Sequence, residues 1–349
     1  MPMRRLVGSC LLALLVMGFL FTFQGCKPAD TDPAPGNDPV DPGGEDVVVV
    51  PEGTPYEFEV PLGLEGPPPV PEDNPMTVEK IALGKQLYFD TRLSADGTIS
   101  CATCHDPTIG WAEHKPTSTG IDGQVGPRNS PTVINSAYAP DQFWDGRMDT
   151  LEEQALGPIE NPIEMGHDLD TLCEELNEIE GYVEQFQAVF GTDVTEDGIA
   201  KAIAAFERTV ISGNSAFDKY NAGDDEAMTE EQLAGHEVFT EANCAMCHTP
   251  PLFSRYGYAK FDTGVVADPP DEGRKDVTKS EADNGKFRTP ILRDVADTAP
   301  YFHDGSAETL EDAVAIMAKS NTEEEQASLV TFLGALSGEY PIIDPPELP

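Results

Sequence analysis

Two five-residue runs constrain this chain more than anything else in it: Cys101-Ala102-Thr103-Cys104-His105 and Cys244-Ala245-Met246-Cys247-His248. Both read C-x-x-C-H, the pattern that attaches a c-type haem. The spacing has a chemical reason. Two thiols about one turn apart add to the two vinyl groups along one side of a porphyrin, and the adjacent imidazole reaches the iron from one face. Seven cysteines and six histidines in 349 residues do not produce two such runs by chance. A zinc ribbon sets its cysteine pairs roughly 15–20 residues apart, whereas Cys101 and Cys244 stand 143 positions apart. A redox-active C-x-x-C needs no histidine beside it, twice. Two covalent haems are therefore expected. One run in each half of the chain fits a duplicated plan, although internal similarity beyond the two runs is weak.

Charge narrows the partners. The chain carries 63 acidic and 21 basic residues, a formal net charge of −42. Nucleic acid needs a basic face, so it is excluded as a partner, and an anionic membrane surface is disfavoured for the same reason. Such acidity suits solubility or the steering of a cationic partner. At the start, Arg4 and Arg5 precede an apolar core, Leu11–Phe21, as in a secretory signal. The wider run Leu6–Phe23 leaves an uncleaved anchor as the alternative. Gly25-Cys26 resembles a bacterial lipobox, in which Cys26 becomes the lipidated N-terminus; an ordinary signal with a stray cysteine is the other reading. Phe23 stands where a lipobox usually has Leu. Residues 26–75 are rich in Pro, Gly and acid, with 13 prolines between 27 and 75, and read as an extended spacer. Val47–Val50 is at most a short strand.

The remaining body reads as mostly α. Ile199, Ala202, Ile203, Phe206 and Val210 keep helical spacing, as do Leu329, Phe332, Leu333 and Leu336. Thr150-x-x-Glu153 and Thr229-x-x-Gln232 are capping boxes, and Thr309-x-x-Asp312 is a related start. A helix opening at Asn74-Pro75 or Thr77 runs to about Tyr88. The irregular stretches 106–149 and 249–304 are too long to stand without an organising ligand, a role two haems would fill. Cys173 reads as a small buried apolar residue, and His167 and His236 as surface or helix residues.

Several blocks, in order, cover about residues 76–345 and look like the bacterial dihaem cytochrome c peroxidase family. They are Gly126-Pro-Arg-Asn-Ser-Pro-Thr132, Gln142-Phe-Trp-Asp-Gly-Arg147, Leu151-Glu-Glu-Gln-Ala155, Asn161-Pro-Ile-Glu-Met165, Phe287-Arg-Thr-Pro and Thr298-Ala-Pro-Tyr-Phe-His-Asp-Gly305. The resemblance implies two cytochrome c-like domains, each with one haem. The first would span 76–213, completed by the tail 338–349, and the second 214–337. It implies a peroxidase that reduces hydrogen peroxide with electrons from a small cytochrome c or copper protein in the periplasm. The haem on His105 would be the low-potential peroxidatic site and that on His248 the high-potential site of electron entry. Met317 falls at the sixth ligand of the second haem; on periodicity alone it belongs to an apolar stripe with Leu310, Ala313 and Val314. Trp144 matches the tryptophan between the haems, Glu164 the acid/base above the peroxidatic iron, and Gln154 a hydrogen-bonding partner in that pocket. His303 would contact a propionate of the second haem. A calcium ion would take the Asn129 side chain and the carbonyls of Thr298 and Pro300. Pairing as homodimers is a further implication, and the membrane would be reached by the lipid anchor only.

One position departs from the pattern. In the members activated by reduction, a histidine sixteen residues after the first haem histidine caps the peroxidatic iron; here it is Ile121, which cannot ligate. The site is expected to be open without prior reduction, with His114 the nearest substitute cap. An open site also fits the related dihaem oxidase of methylamine metabolism, in which a tyrosine stands at the position of Met317. An oxidase acting on a protein or small molecule, and a non-catalytic carrier or peroxide sensor, are the rival readings.

Overall fold

The computed structural model describes residues 53–261, 263 and 270–349. The signal, Cys26 and Val47–Val50 lie outside the described residues. Helices dominate: α1 Val78–Phe89, α2 Cys101–Cys104, α3 Leu151–Glu160, α4 Leu169–Asn177, α5 Glu180–Phe190, α6 Glu196–Glu207, α7 Ala216–Asn221, α8 Glu230–Glu241, α9 Lys275–Thr278, α10 Leu310–Met317 and α11 Glu323–Gly334. The one sheet among the described residues pairs β1 (Tyr258–Ala259) with β2 (Phe287–Arg288), antiparallel. No helix among them is long and apolar enough to cross a membrane.

The expected helix starts hold. Thr77 caps α1, Thr150 caps α3, and Thr229 and Thr309 close full capping boxes on α8 and α10. In each, a side-chain oxygen satisfies an amide that the first turn leaves without a partner. The apolar stripe of α6 is buried, and its last member, Val210, lies past the helix end yet is equally buried. Leu336 relates to α11 in the same way.

Two large buried clusters result, beside a small one of Ala137, Leu151 and Ala204. One gathers α1, α4, α5 and α6 around Leu83, Leu87, Tyr88, Trp111, Phe186, Ile203 and Phe206. The other gathers α8, α10 and α11 around Phe217, Phe239, Phe253, Phe332 and Leu333. They share a device that the sequence comparison of the halves missed. A Cβ on Gly84 of α1 would lie 1.8 Å from the Ala202 carbonyl oxygen of α6 and 2.9 Å from Phe206 Cβ. A Cβ on Gly235 of α8 would lie 2.0 Å from the Ser328 carbonyl oxygen of α11 and 2.7 Å from Phe332 Cβ. In each half, one helix lacks a side chain so that the backbone of its partner can reach contact.

Residues 53–75, expected to belong to a free spacer, lie against the body. Backbone bonds join Thr54 to Val78 and Tyr56 to Met76. Side chains satisfy the carbonyls that a Pro-rich segment cannot pair by itself: Tyr138 donates to Gly66, Arg208 to Pro69 and Arg293 to Gly63. Arg293 also makes a buried two-point pair with Asp218, both contacts at 2.8 Å. At the other end, Tyr340 and Ile343 pack on the first cluster, and Pro341 accepts a hydrogen bond from Trp111 Nε1. His167 corrects the surface reading: it is 6% exposed and faces Glu175 at 3.3 Å. His236 sits on α8 against Phe217 and Phe332. Cys173 packs at the edge of the first cluster.

Candidate functional site: two cavities with a common wall

Each C-x-x-C-H run borders a cavity. Ser100 opens α2 with a capping box to Thr103, so Cys101 and Cys104 lie one turn apart and His105 ends the helix. All three line a cavity of about 1100 Å³. Asn243, in the left-handed conformation, starts the short 3-10 turn Cys244–Met246. Cys244, Cys247 and His248 line a second cavity of about 410 Å³. Trp144, Asn129, Phe287, Arg288 and His303 border both, so the cavities share a wall.

Both histidines suit iron. Burial pushes each imidazole pKa down, which favours the neutral ligating form. His248 Nδ1 donates to the Phe253 carbonyl at 3.1 Å, leaving Nε2 for a metal. Among the described residues, His105 Nδ1 is buried without a hydrogen-bond partner. Four unpaired cysteines, two histidines and two cavities of cofactor size fit two covalently held haems. Met317, at the C-terminal end of α10, is 39% exposed and lines the second cavity; Val314 and Ala318 border it too but are buried in the core. It is not the packed member of the stripe that periodicity alone would make it.

The first cavity is rich in titratable groups. Gln154 projects from α3, and Glu164 lies in the turn after that helix. Asn161 caps α3 and donates through Nδ2 to Glu164 Oε1 at 2.6 Å. Burial raises the Glu164 pKa against the opposing pull of Arg147 and Asn161. The loop 117–126 is tied to this turn: Ile121 N–H donates to the Glu164 carbonyl at 2.9 Å. A Cβ at Gly120 would lie 2.2 Å from the Ile163 carbonyl oxygen, so only glycine permits this approach. Ile121 is 8% exposed and packs towards Gly166; Gly120 and Ser118, not Ile121, line the cavity. His114 is exposed, bonds the Ile109 carbonyl and borders neither cavity.

Trp144 is fixed by its Nε1, which donates to the Asn129 carbonyl at 2.9 Å. His303 stacks on Phe287 at 3.7 Å, and its carbonyl accepts from the Asn129 amide. Asn129, Thr298 and Pro300 all line the second cavity. Among the described residues no cluster of three His, Cys, Asp or Glu forms a separate metal site. Sequence reading missed a charged brace at the first cavity. Arg128 bonds Asp145 at 2.6 Å and holds Asp271 with two bonds of 2.7 and 2.8 Å. Arg128 and Asp145 stand inside recognisable blocks, but nothing in the sequence pairs them with Asp271. Glu207 was missed as well: it is 6% exposed and lines the first cavity.

The sequence profile of the di-haem cytochrome c peroxidase family matches residues 78–226. Cytochrome c551 peroxidase of Pseudomonas aeruginosa is 42% identical over 303 residues, covering 80% of this chain and 87% of that protein. Methylamine utilization protein MauG of Methylophilus methylotrophus is 36% identical over 300 residues, covering 80% and 89%. The crystal structure of a MauG-like protein associated with microbial copper homeostasis superposes with a TM-score of 0.73 at 30% identity, covering 81% of this chain and 96% of that one. With both attachment runs on cavity walls and identity at this level over most of its length, the chain belongs to the di-haem cytochrome c peroxidase family.

Proposed function

We propose that this chain is an exported cytochrome c peroxidase that reduces hydrogen peroxide to two waters, consuming two electrons and two protons. One observation carries the reading. Of two cavities each bearing a C-x-x-C-H run, one holds a buried carboxyl and amide pair, the other a thioether, and Trp144 borders both.

Cys101, Cys104 and His105 would hold the first haem; Cys244, Cys247, His248 and Met317 the second. When bound, the haems supply iron centres that store electrons and deliver them to the O–O bond. The protein does the rest. Glu164 takes a proton from one peroxide oxygen and returns it to the other, which makes the departing oxygen a better leaving group. Asn161 fixes the carboxyl at Oε1, and Gln154 lies in the same wall to orient the substrate. Its raised pKa keeps Glu164 able to hold the proton between these two acts. Trp144, on the wall common to both cavities, would pass electrons between the sites, and His303 would contact a propionate of the second haem.

The peroxidatic site is open without prior reduction. Ile121 is packed away from the cavity and His114 faces solvent, so neither caps it. Each half makes one haem domain, 76–213 with the tail 338–349, and 214–337; the packing of Tyr340 and Ile343 supports the contribution of the tail. A calcium ion held by Asn129, Thr298 and Pro300 would brace the shared wall. Electrons come from a small cytochrome c or copper protein in the periplasm, where a lipid on Cys26 would tether the enzyme to the membrane. Electron paramagnetic resonance of the oxidised holoprotein tests the open site. A high-spin ferric signal beside a low-spin one is expected, with reaction on peroxide before any reduction; two low-spin signals would overturn it.

A further inference from the structure

Glu207 contradicts its surroundings. It is the last residue of α6, where the negative end of the helix dipole disfavours a carboxylate. It is 6% exposed and borders the first cavity with Ile203, one turn earlier, and Cys101. The adjacent Arg208 makes no direct pair with it, because its guanidinium holds Glu152 at 2.8 and 2.9 Å and the Pro69 carbonyl at 3.2 Å. Among the described residues the Glu207 carboxyl has no ion pair. A buried acid at the wrong end of a helix, beside an arginine engaged elsewhere, is the kind of local conflict that marks a functional group.

The groups that face it can be named. Arg208 follows it in the chain, Glu152 approaches from α3, Tyr88 from α1 and Cys101 from α2. Helix α4 meets the other end of α6, where Cys173 feels Glu196. Tyr88 donates its hydroxyl to the His105 carbonyl and is unavailable as a donor to Glu207. Only Arg208 favours the ionised form. Burial dominates, and the carboxyl pKa is raised to about 8. A positive charge arriving in the cavity would pull it down again, and loss of that charge would let it rise.

We propose that Glu207 is a positioning residue for charge in the first haem site, binding one solvent proton when that haem gains one electron and releasing it on oxidation. This rests on the reading that the first cavity holds a haem. The electron comes from the donor that the peroxidase reaction already uses, so charge in the cavity is unchanged over the cycle. The role differs from that of Glu164, whose proton travels between substrate oxygens.

The test is spectroelectrochemical titration of the purified holoprotein, with haem content counted first. Two haems per chain are expected; fewer would overturn the cavity assignment and the role of Glu207 with it, whereas two haems with a contrary titration would overturn the role alone. The midpoint potential of the low-potential haem should fall as pH rises from 6 to 9, by up to about 59 mV per tenfold change in proton concentration for one electron. Glu207→Gln keeps the shape and hydrogen-bonding capacity but cannot titrate, and should flatten that slope while the second haem is unaffected. An unchanged slope in Glu207→Gln overturns the proposal, as does a pH-independent potential in the parent protein. If the variant does not assemble, the infrared difference spectrum of the parent protein decides. Reduction should produce a protonated-carboxyl band that shifts in heavy water, and its absence overturns the proposal.

Discussion

Around Cys101–His105 the wall carries Glu164, Glu207, Gln154, Arg128 and Arg147; around Cys244–His248 no aspartate or glutamate lines the cavity among the described residues. The second wall presents Met317, Phe239, Val314 and Leu333 instead. The first histidine has a buried Nδ1 without a partner among the described residues, and the second is pinned to the Phe253 carbonyl. The attachment runs are near copies, so they do not decide what each site does. In the proposed function the acids and the thioether around them do. Proton chemistry needs titratable groups close at hand, and electron storage needs a fixed ligand set in apolar surroundings.

The largest break in this contrast should come from Glu164→Gln. Peroxide turnover should fall about 10²- to 10⁴-fold, with the spectrum of the second haem unchanged; equal changes at both haems would contradict the division of labour. The pH profile sharpens the point. Burial raises the Glu164 pKa, so the carboxylate needed to accept a proton is lost at a higher pH than for an ordinary glutamate. The acid limb of kcat/KM should lie above the usual value of about 4.3 and disappear in Glu164→Gln. Met317→His is the complementary change. Replacing thioether with imidazole should lower the potential of the second haem by on the order of 100 mV, read by potentiometry, and leave the first haem's signal in place.

Smaller effects test the likeness of the halves. Gly84→Ala and Gly235→Ala should each cost about 1–3 kcal/mol, measured by thermal unfolding, because each forces a methyl into a carbonyl oxygen of the facing helix. A large cost at one and none at the other would deny that the two crossings are equivalent. Ionic strength should separate the two partners. Peroxide is uncharged, whereas a cationic donor is drawn by a chain of formal charge −42. Added salt should lower kcat/KM for the donor severalfold and leave that for peroxide alone.

Much of this was legible from the sequence because covalent attachment is a local requirement. A C-x-x-C-H run needs only its own five residues, and a threonine cap needs only the next turn. Met317 shows the limit. Its spacing fits a core stripe, and only the resemblance separated it from Val314, with which it shares a helix face. Periodicity places a residue on a face but does not say whether that face meets a helix or a cavity. Asp271 and Glu207 were invisible for a related reason. Each acquires its meaning from groups far away in the sequence, Arg128 for the one and Cys101 for the other. Residues 53–75 misled by composition: their prolines form no sheet or helix, but arginine and tyrosine side chains from the body meet their carbonyls.

The packing of Tyr340 and Ile343 onto the first cluster has a consequence for how the protein is made. During synthesis the segment from Val78 to Glu207 emerges early, while the strip that covers one edge of it emerges more than a hundred residues later. Trp111 must wait for Pro341 to receive its indole proton. The first cluster is therefore incomplete until the later half has been made. Order of emergence and order of completion run in opposite directions: the cluster whose residues emerge first is closed by residues that emerge last.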